Sequence, residues 1–221
     1  MKVLIVGASR GIGLAFVRQY REAGAAVTAT ARDDAGLARL QALDAAALRL
    51  DVADAASVSG LAWQIDGELF DTVVLNAGVY GPRSSGLEPP TVAEFDAVMH
   101  TNVLGVMRVL PQVADALAPG ARLAVVSSRM ASMGLRASPS GWLYRASKAA
   151  LNSVLKDASL VLAGRAVCVA FHPGWVRTDM GGEGADLDVD TSVADMRRTL
   201  AGLTPAHNGG FFNHDGQPLA W

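Results

Sequence analysis

The sequence predicts an α/β fold in which one parallel, doubly wound sheet carries helices on both faces. Three observations lead there. Short β-branched or small apolar runs alternate with helical patterns along the chain, a glycine-rich turn joins the first run to the first helical pattern, and small, polar or turn-forming residues follow the ends of five separate runs. Strands alternating with helices require parallel pairing, right-handed crossovers and a sheet buried on both sides. With 221 residues, 51% of them hydrophobic and 18% charged, the chain can fill such a core as a single domain spanning residues 1–221.

The first run, Lys2 to Gly7, ends in Gly7-Ala8-Ser9-Arg10-Gly11-Ile12-Gly13 and passes into a helical pattern through Phe16, Val17 and Tyr20. A strand, a glycine turn and a helix in that order aim backbone N–H groups at a phosphate, with glycine where a side chain would block the approach. The spacing is G-x-x-x-G-x-G rather than the G-x-G-x-x-G of most dinucleotide folds. Strands are then expected at Ala26–Ala31, Ala47–Leu50, Thr72–Leu75, Leu123–Val126 and Ala166–Phe171. Helices are expected at Ala35–Leu43, Val58–Ile65, Glu94–Leu117 with a bend near Gly105 or Pro111, and Tyr144–Ala163. The least regular stretches are Tyr80–Pro90, Met130–Trp142 and Gly174–Asp190.

In a doubly wound sheet, ligands bind outside the carboxyl ends of the strands. The glycine turn, Asp51-Val52, Asn76-Ala77-Gly78, Ser127-Ser128 and Pro173-Gly174 all fall at such ends. Each is also an ordinary turn or cap when taken singly. Tyr144 and Lys148 lie four residues apart on one helical face. A free phenol has a pKa of about 10, and lowering it by about 2 to 3 requires roughly 3 to 4 kcal/mol. A neighbouring charge supplies about 1 kcal/mol in water and about 4 at an effective dielectric near 20, so the pair makes chemical sense in a cleft. The same spacing also occurs on solvated helices.

Charge and composition narrow the function classes. A net charge of −2 with no run of like charge suggests neither a nucleic-acid surface nor a polybasic membrane patch. The apolar run Val3–Val6 is too short for a signal-peptide core or a membrane span, and a cytoplasmic location is expected. Cys168 lies inside a strand-like run and reads as a buried thiol. His100, His172, His207 and His214 lack a spacing suited to metal ligation, so no metal site is expected. Only three lysines accompany sixteen arginines, yet position 148 is lysine, the compact charge that suits a site beneath a phenol.

The ordered set Gly7-x-x-x-Gly11-x-Gly13, Asp51, Asn76-Ala77-Gly78, Asn102, Ser128, Tyr144-x-x-x-Lys148 and Pro173-Gly174 resembles the short-chain dehydrogenase/reductase family over nearly the whole chain. The segments Ser127–Ser132, Tyr144–Asn152, His172–Met180 and Gly210–Trp221 look more narrowly like its C-factor and sniffer-type carbonyl reductase branch. The resemblance implies a Rossmann-like sheet of about seven strands in the order 3-2-1-4-5-6-7. It implies a small carbonyl or alcohol substrate, and a homodimer paired through the long helices after strands four and five, although some relatives are monomers.

The family's roles, carried over, make Tyr144 the acid/base and have Lys148 lower its pKa and hold the nicotinamide ribose. Ser128 would bond the substrate oxygen and Asn102 would position a relay water. Ser127 and Ser132 compete with Ser128, whose strand-end position favours it. The cofactor residues implied are Gly7, Ser9, Arg10, Gly11, Ile12, Gly13, Arg32, Asp51, Val52, Asn76, Ala77, Gly78, Tyr144, Lys148, Pro173, Gly174, Val176 and Thr178. Ala31 stands where an acidic residue would mark an NAD site, and Arg10 and Arg32 could clasp a 2′-phosphate, so NADP(H) is expected over NAD(H). Asp33 and Asp34 argue the other way unless they cap the next helix. Two departures stand out. Val6 replaces a threonine, which should loosen a turn hydrogen bond, and the short Met180–Leu203 segment suggests an open substrate mouth. The alternative reading is a dinucleotide-binding signalling protein with incidental catalysis; a methyltransferase is a more distant one.

Overall fold

A computed structural model describes residues 1–221. Strands β1 (Lys2–Val6), β2 (Ala26–Ala31), β3 (Ala46–Arg49), β4 (Phe70–Leu75), β5 (Leu117–Val126), β6 (Ala166–His172) and β7 (Gly210–Asn213) form one sheet. Its order is β3-β2-β1-β4-β5-β6-β7. All six neighbouring pairs are parallel.

Successive strand residues face opposite sides of a sheet, and both sides here are apolar. Val3 and Ile5 point into a layer with Phe16, Val17 and Tyr20 of α1 (Gly11–Glu22), Leu40 of α2 (Asp34–Gln41), and Val193, Met196 and Leu200 of α8 (Val189–Gly202). Leu4 and Val6 point the other way. They meet Val58 of α3 (Ala55–Ser59), Leu61 of α4 (Leu61–Gln64), Val106 and Val109 of α6 (Gly105–Ala114), and Leu151 and Leu155 of α7 (Trp142–Val161). Truncating one of these fully buried leucines to alanine costs about 2 to 5 kcal/mol.

Several element boundaries differ from the sequence reading. The single long helix expected from Glu94 is α5 (Val92–Met99), a π turn at His100–Leu104, and α6, and Leu117 opens β5 instead of closing the helix. A Thr91/Glu94 capping box fixes the start of α5. The helix expected at Val58–Ile65 is divided between α3 and α4. The seventh strand that the resemblance implied is β7, whereas helix α8 was not assigned from the sequence, although Asp188 caps it by accepting from the Thr191 amide. No helix is long and apolar enough to cross a membrane.

Candidate active site

The glycine turn is packed against the end of β4. Gly7 has φ +84°, and a Cβ there would lie 2.6 Å from the Ala77 backbone; one on Gly13 would lie 2.3 Å from the Gly7 carbonyl oxygen. The Asn76 side chain donates to that same carbonyl at 2.6 Å. The Gly7 amide donates to the Thr30 hydroxyl at 3.0 Å. The loosening expected from Val6 is therefore absent: a fully buried threonine of β2 supplies the hydroxyl that position 6 lacks. Arg10 precedes α1 in an extended conformation and provides no side-chain cap. The first amides of α1 thus lack a side-chain acceptor from the capping position, behind a turn whose close packing on β4 only glycine at 7 and 13 allows, and this fits an anionic pyrophosphate.

At the edge beyond β2, Arg32 is exposed. Asp33 is spent as a helix cap, accepting from the Gly36 amide at 2.7 Å. Asp34 pairs with Arg49. Asp33 therefore serves as the helix cap that the sequence allowed for, whereas Asp34 is held only by an exposed ion pair. Arg10 forms an exposed ion pair with Asp179 at 3.0 Å, across from the turn. Arg39, which the sequence reading missed, donates from Nε to the Ser9 carbonyl at 2.8 Å. It lies thirty residues from Ser9 in sequence, and only folding of α2 against the turn brings it there. The Asp51 carboxylate accepts from the Ala53 amide at 2.9 Å, and Val52 is buried.

The proton-handling residues meet on the same rim. Tyr144 and Lys148 are 7% and 3% exposed. Lys148 Nζ donates to the Val126 carbonyl at 2.8 Å and lies 5.8 Å from the centre of the Tyr144 ring. A Cβ on Gly78 would lie 3.2 Å from Lys148 Nζ and 3.3 Å from Asn102 Oδ1. Asn102 sits in the π turn and is fully buried. Its side chain bonds both backbone groups of Val79 at 2.8 Å and donates to Ser147 Oγ at 2.9 Å. Ser147 in turn donates to the Tyr144 carbonyl at 2.8 Å. The Asn102 amide is thereby committed to the scaffold.

Three serines were open at the end of β5, and their partners separate them. Ser127 donates to Asn152 Oδ1 at 2.6 Å inside the core, and Ser132 donates to the Trp221 carbonyl at 3.3 Å. Ser128 Oγ accepts from the Met130 amide at 3.1 Å, and its hydroxyl also acts on the Tyr144 phenol, pulling its pKa down. Burial dominates all the same and pushes that phenol up to about 12, while it brings the Lys148 ammonium down to about 8. Loss of hydration on ionising a buried phenol outweighs the hydrogen bond from Ser128, and the neighbouring Tyr80 adds to the rise.

Beyond β6, the Pro173 carbonyl accepts from Ser192 Oγ at 2.5 Å, and Val176 is buried and bridged to Leu187. The Thr178 methyl lies 3.4 Å from where a Cβ on Gly11 would stand, so this loop crosses the glycine turn. Arg83 donates to the Met180 carbonyl at 3.3 Å. This exposed hydrogen bond links the loops after β4 and β6. Tyr80, also unread in the sequence, stacks on Tyr144 with ring centres 4.6 Å apart and planes 22° apart.

Comparison with known proteins agrees with this geometry. A family model described as short chain dehydrogenase matches residues 1–186. C-signal of Myxococcus xanthus is 39% identical over 154 residues, covering 68% of this chain and 92% of that protein. A crystal structure of a short-chain dehydrogenase/reductase from Burkholderia multivorans with bound NADP superposes with a TM-score of 0.91 at 31% identity, covering 100% of this chain and 99% of that one. The carbonyl reductase Sniffer of D. melanogaster superposes with a TM-score of 0.86, also at 31% identity and over 100% and 99% of the two chains.

Proposed function

The chain belongs to the short-chain dehydrogenase family, and from that premise we propose that this NAD(P)-dependent oxidoreductase is an NADPH-dependent reductase of aldehydes or ketones, reversible as an alcohol dehydrogenase. The observation that carries the proposal is the approach of Tyr144 to both Lys148 and Ser128, with Lys148 beside Gly78, at the strand ends that also hold the glycine turn. The NADP bound by the Burkholderia multivorans relative and the name of the D. melanogaster relative support the cofactor and the substrate class.

Gly7, Ser9, Gly11, Ile12 and Gly13 would hold the pyrophosphate, with Arg10 and Arg32 on the 2′-phosphate. Asp51 and Val52 would border the adenine, and Asn76, Ala77 and Gly78 the ribose. Pro173, Gly174, Val176 and Thr178 would border the nicotinamide, which supplies the hydride. Tyr144 acts as the acid. A phenol held near 12 keeps its proton at neutral pH, and the carbonyl oxygen takes that proton only as hydride arrival turns it into a much stronger base. Ser128 donates to the same oxygen as its negative charge grows. Lys148, near 8, exchanges protons readily at physiological pH and can return one to Tyr144. Asn102 holds Val79 and Ser147, and through them the Gly78 strand end and the Tyr144 backbone.

Purified protein assayed with a panel of aldehydes and ketones, against NADPH and NADH, tests the proposal. NADPH oxidation that requires Tyr144 is the expected result, and none across the panel overturns it. The likeness to C-signal favours a second reading, a dinucleotide-responsive signalling protein. That protein would bind NADPH with normal affinity and turn over no carbonyl.

A further inference from the structure

We propose that Tyr80 is a positioning residue for Tyr144, and that Arg83 holds Tyr80 in that role; the proposal rests on the reductase reading. The loop after β4 is fastened at several points, and each bears on the Tyr80 ring. Gly81 has φ +77°, and a Cβ there would lie 2.4 Å from a Val98 methyl, so the loop is pressed onto α5. The Gly141 amide, at the start of α7, donates to the Ser84 carbonyl at 2.9 Å. A Cβ on Gly141, itself at φ +66°, would lie 2.5 Å from the Tyr80 hydroxyl oxygen. The Tyr80 hydroxyl therefore sits in a niche that only glycine leaves open, and its ring is directed over Tyr144.

The guanidinium of Arg83 lies 5.4 Å from the centre of the Tyr80 ring while also donating to the Met180 carbonyl. Contacts thus run from Arg83 to Tyr80, to Tyr144, to Lys148. Offset aromatic stacking and cation–π contact are both directional. A phenol stacked on Tyr80 and flanked by the Lys148 ammonium has little freedom to tilt, and its hydroxyl stays aimed at Ser128. Proton transfer to a carbonyl oxygen needs that aim, and a misplacement of about 1 Å can cost about 100-fold in rate. Positioning by Tyr80 should therefore appear in kcat and not in cofactor affinity.

Full-length Tyr80→Phe, Tyr80→Leu and Arg83→Met should be compared for NADPH affinity, melting temperature and carbonyl reduction. Tyr80→Phe keeps the ring and should stay within about twofold of wild type. Tyr80→Leu should lose about 10-fold to 100-fold in kcat with NADPH affinity unchanged, and Arg83→Met should fall between the two. Wild-type kcat in Tyr80→Leu overturns the proposal. So does a loss in which kcat, NADPH affinity and melting temperature fall together, because that marks a merely structural residue.

A second measurement needs no substrate. The chain has three tyrosines, so tyrosine labelled with carbon-13 at Cζ gives few enough signals for Tyr144 to be identified by its loss in Tyr144→Phe. The groups facing that phenol are Ser128, Tyr80 and Lys148. In Tyr80→Leu the Tyr144 signal should shift, and its titration should move down toward the ordinary phenol value as water reaches the ring. An unchanged Tyr144 signal sinks the proposal even if no carbonyl substrate is found, whereas a shifted signal with no turnover by wild type sinks only the reductase reading.

Discussion

The Asn102 side chain grips Val79 at both its backbone groups, accepting from the amide and donating to the carbonyl at 2.8 Å each. This clasp joins the π turn to the strand end that carries Gly78, and a half-buried backbone pair depends on it. Asn102→Ala leaves both Val79 groups without their partner, at a cost of about 2 to 4 kcal/mol. Thermal unfolding should show a Tm lower by roughly 5 to 12 °C. An unchanged Tm would mean that Val79 finds other partners.

Tyr144→Phe removes the acid and little else. The ring, its stacking on Tyr80 and the backbone bond to Ser147 all persist. Carbonyl reduction should fall by about 1,000-fold or more, with NADPH affinity within about twofold of wild type. Retained turnover would take Tyr144 out of its assigned role.

In the proposed reading, cofactor choice turns on Arg10 and Arg32, both exposed. Arg32→Asp should weaken NADPH binding by at least about tenfold while sparing NADH. Asp179→Asn releases Arg10 from its ion pair. An exposed pair is worth at most about 1 kcal/mol, so NADPH affinity should rise by no more than about fivefold. Titration calorimetry with both cofactors measures the two effects.

His172 follows the β6 core with Nδ1 buried and without a partner. Burial first, then the fields of His214 and Arg129, bring its pKa from 6.5 down to about 4. The unfolded chain therefore binds a proton at pH values where the folded one does not, and stability falls as pH drops from about 6.5 toward 4. Denaturant unfolding of His172→Phe should show a shallower loss over that window than wild type, by about 2 kcal/mol at its acid end. Equal slopes for the two proteins would remove His172 as the cause.

The strand ends were legible in the sequence because a parallel sheet needs continuous apolar runs, and the polar residues that interrupt them stand out. Gly7 to Gly13 stood out by its place between the first strand and the first helix, and Tyr144 and Lys148 by a spacing that gained weight only beside the other strand-end motifs and the family resemblance. Tyr80, Arg83 and Arg39 were not, since their partners lie far away in sequence or in stretches with no period to read. Helix α8 did leave a signal, Val193, Met196 and Leu200 on one face behind the Asp188 cap, but it was absorbed into a segment taken as a short cover. β7, four residues at the sheet edge, was expected only from the family resemblance and was not placed on the chain. The opposing effects on the phenol could not be ranked from sequence, because burial is a property of the packed molecule.

The hydroxyl that steadies the Gly7 turn comes from Thr30, on the neighbouring strand. Whether the amide of Gly7 is satisfied thus depends on the alignment of two chain segments, with Leu4 opposite Thr28 and Ile5 opposite Ala29. Anyone transplanting this nucleotide cradle into another scaffold must carry β2 along with it, because the consecutive motif by itself would arrive one support short.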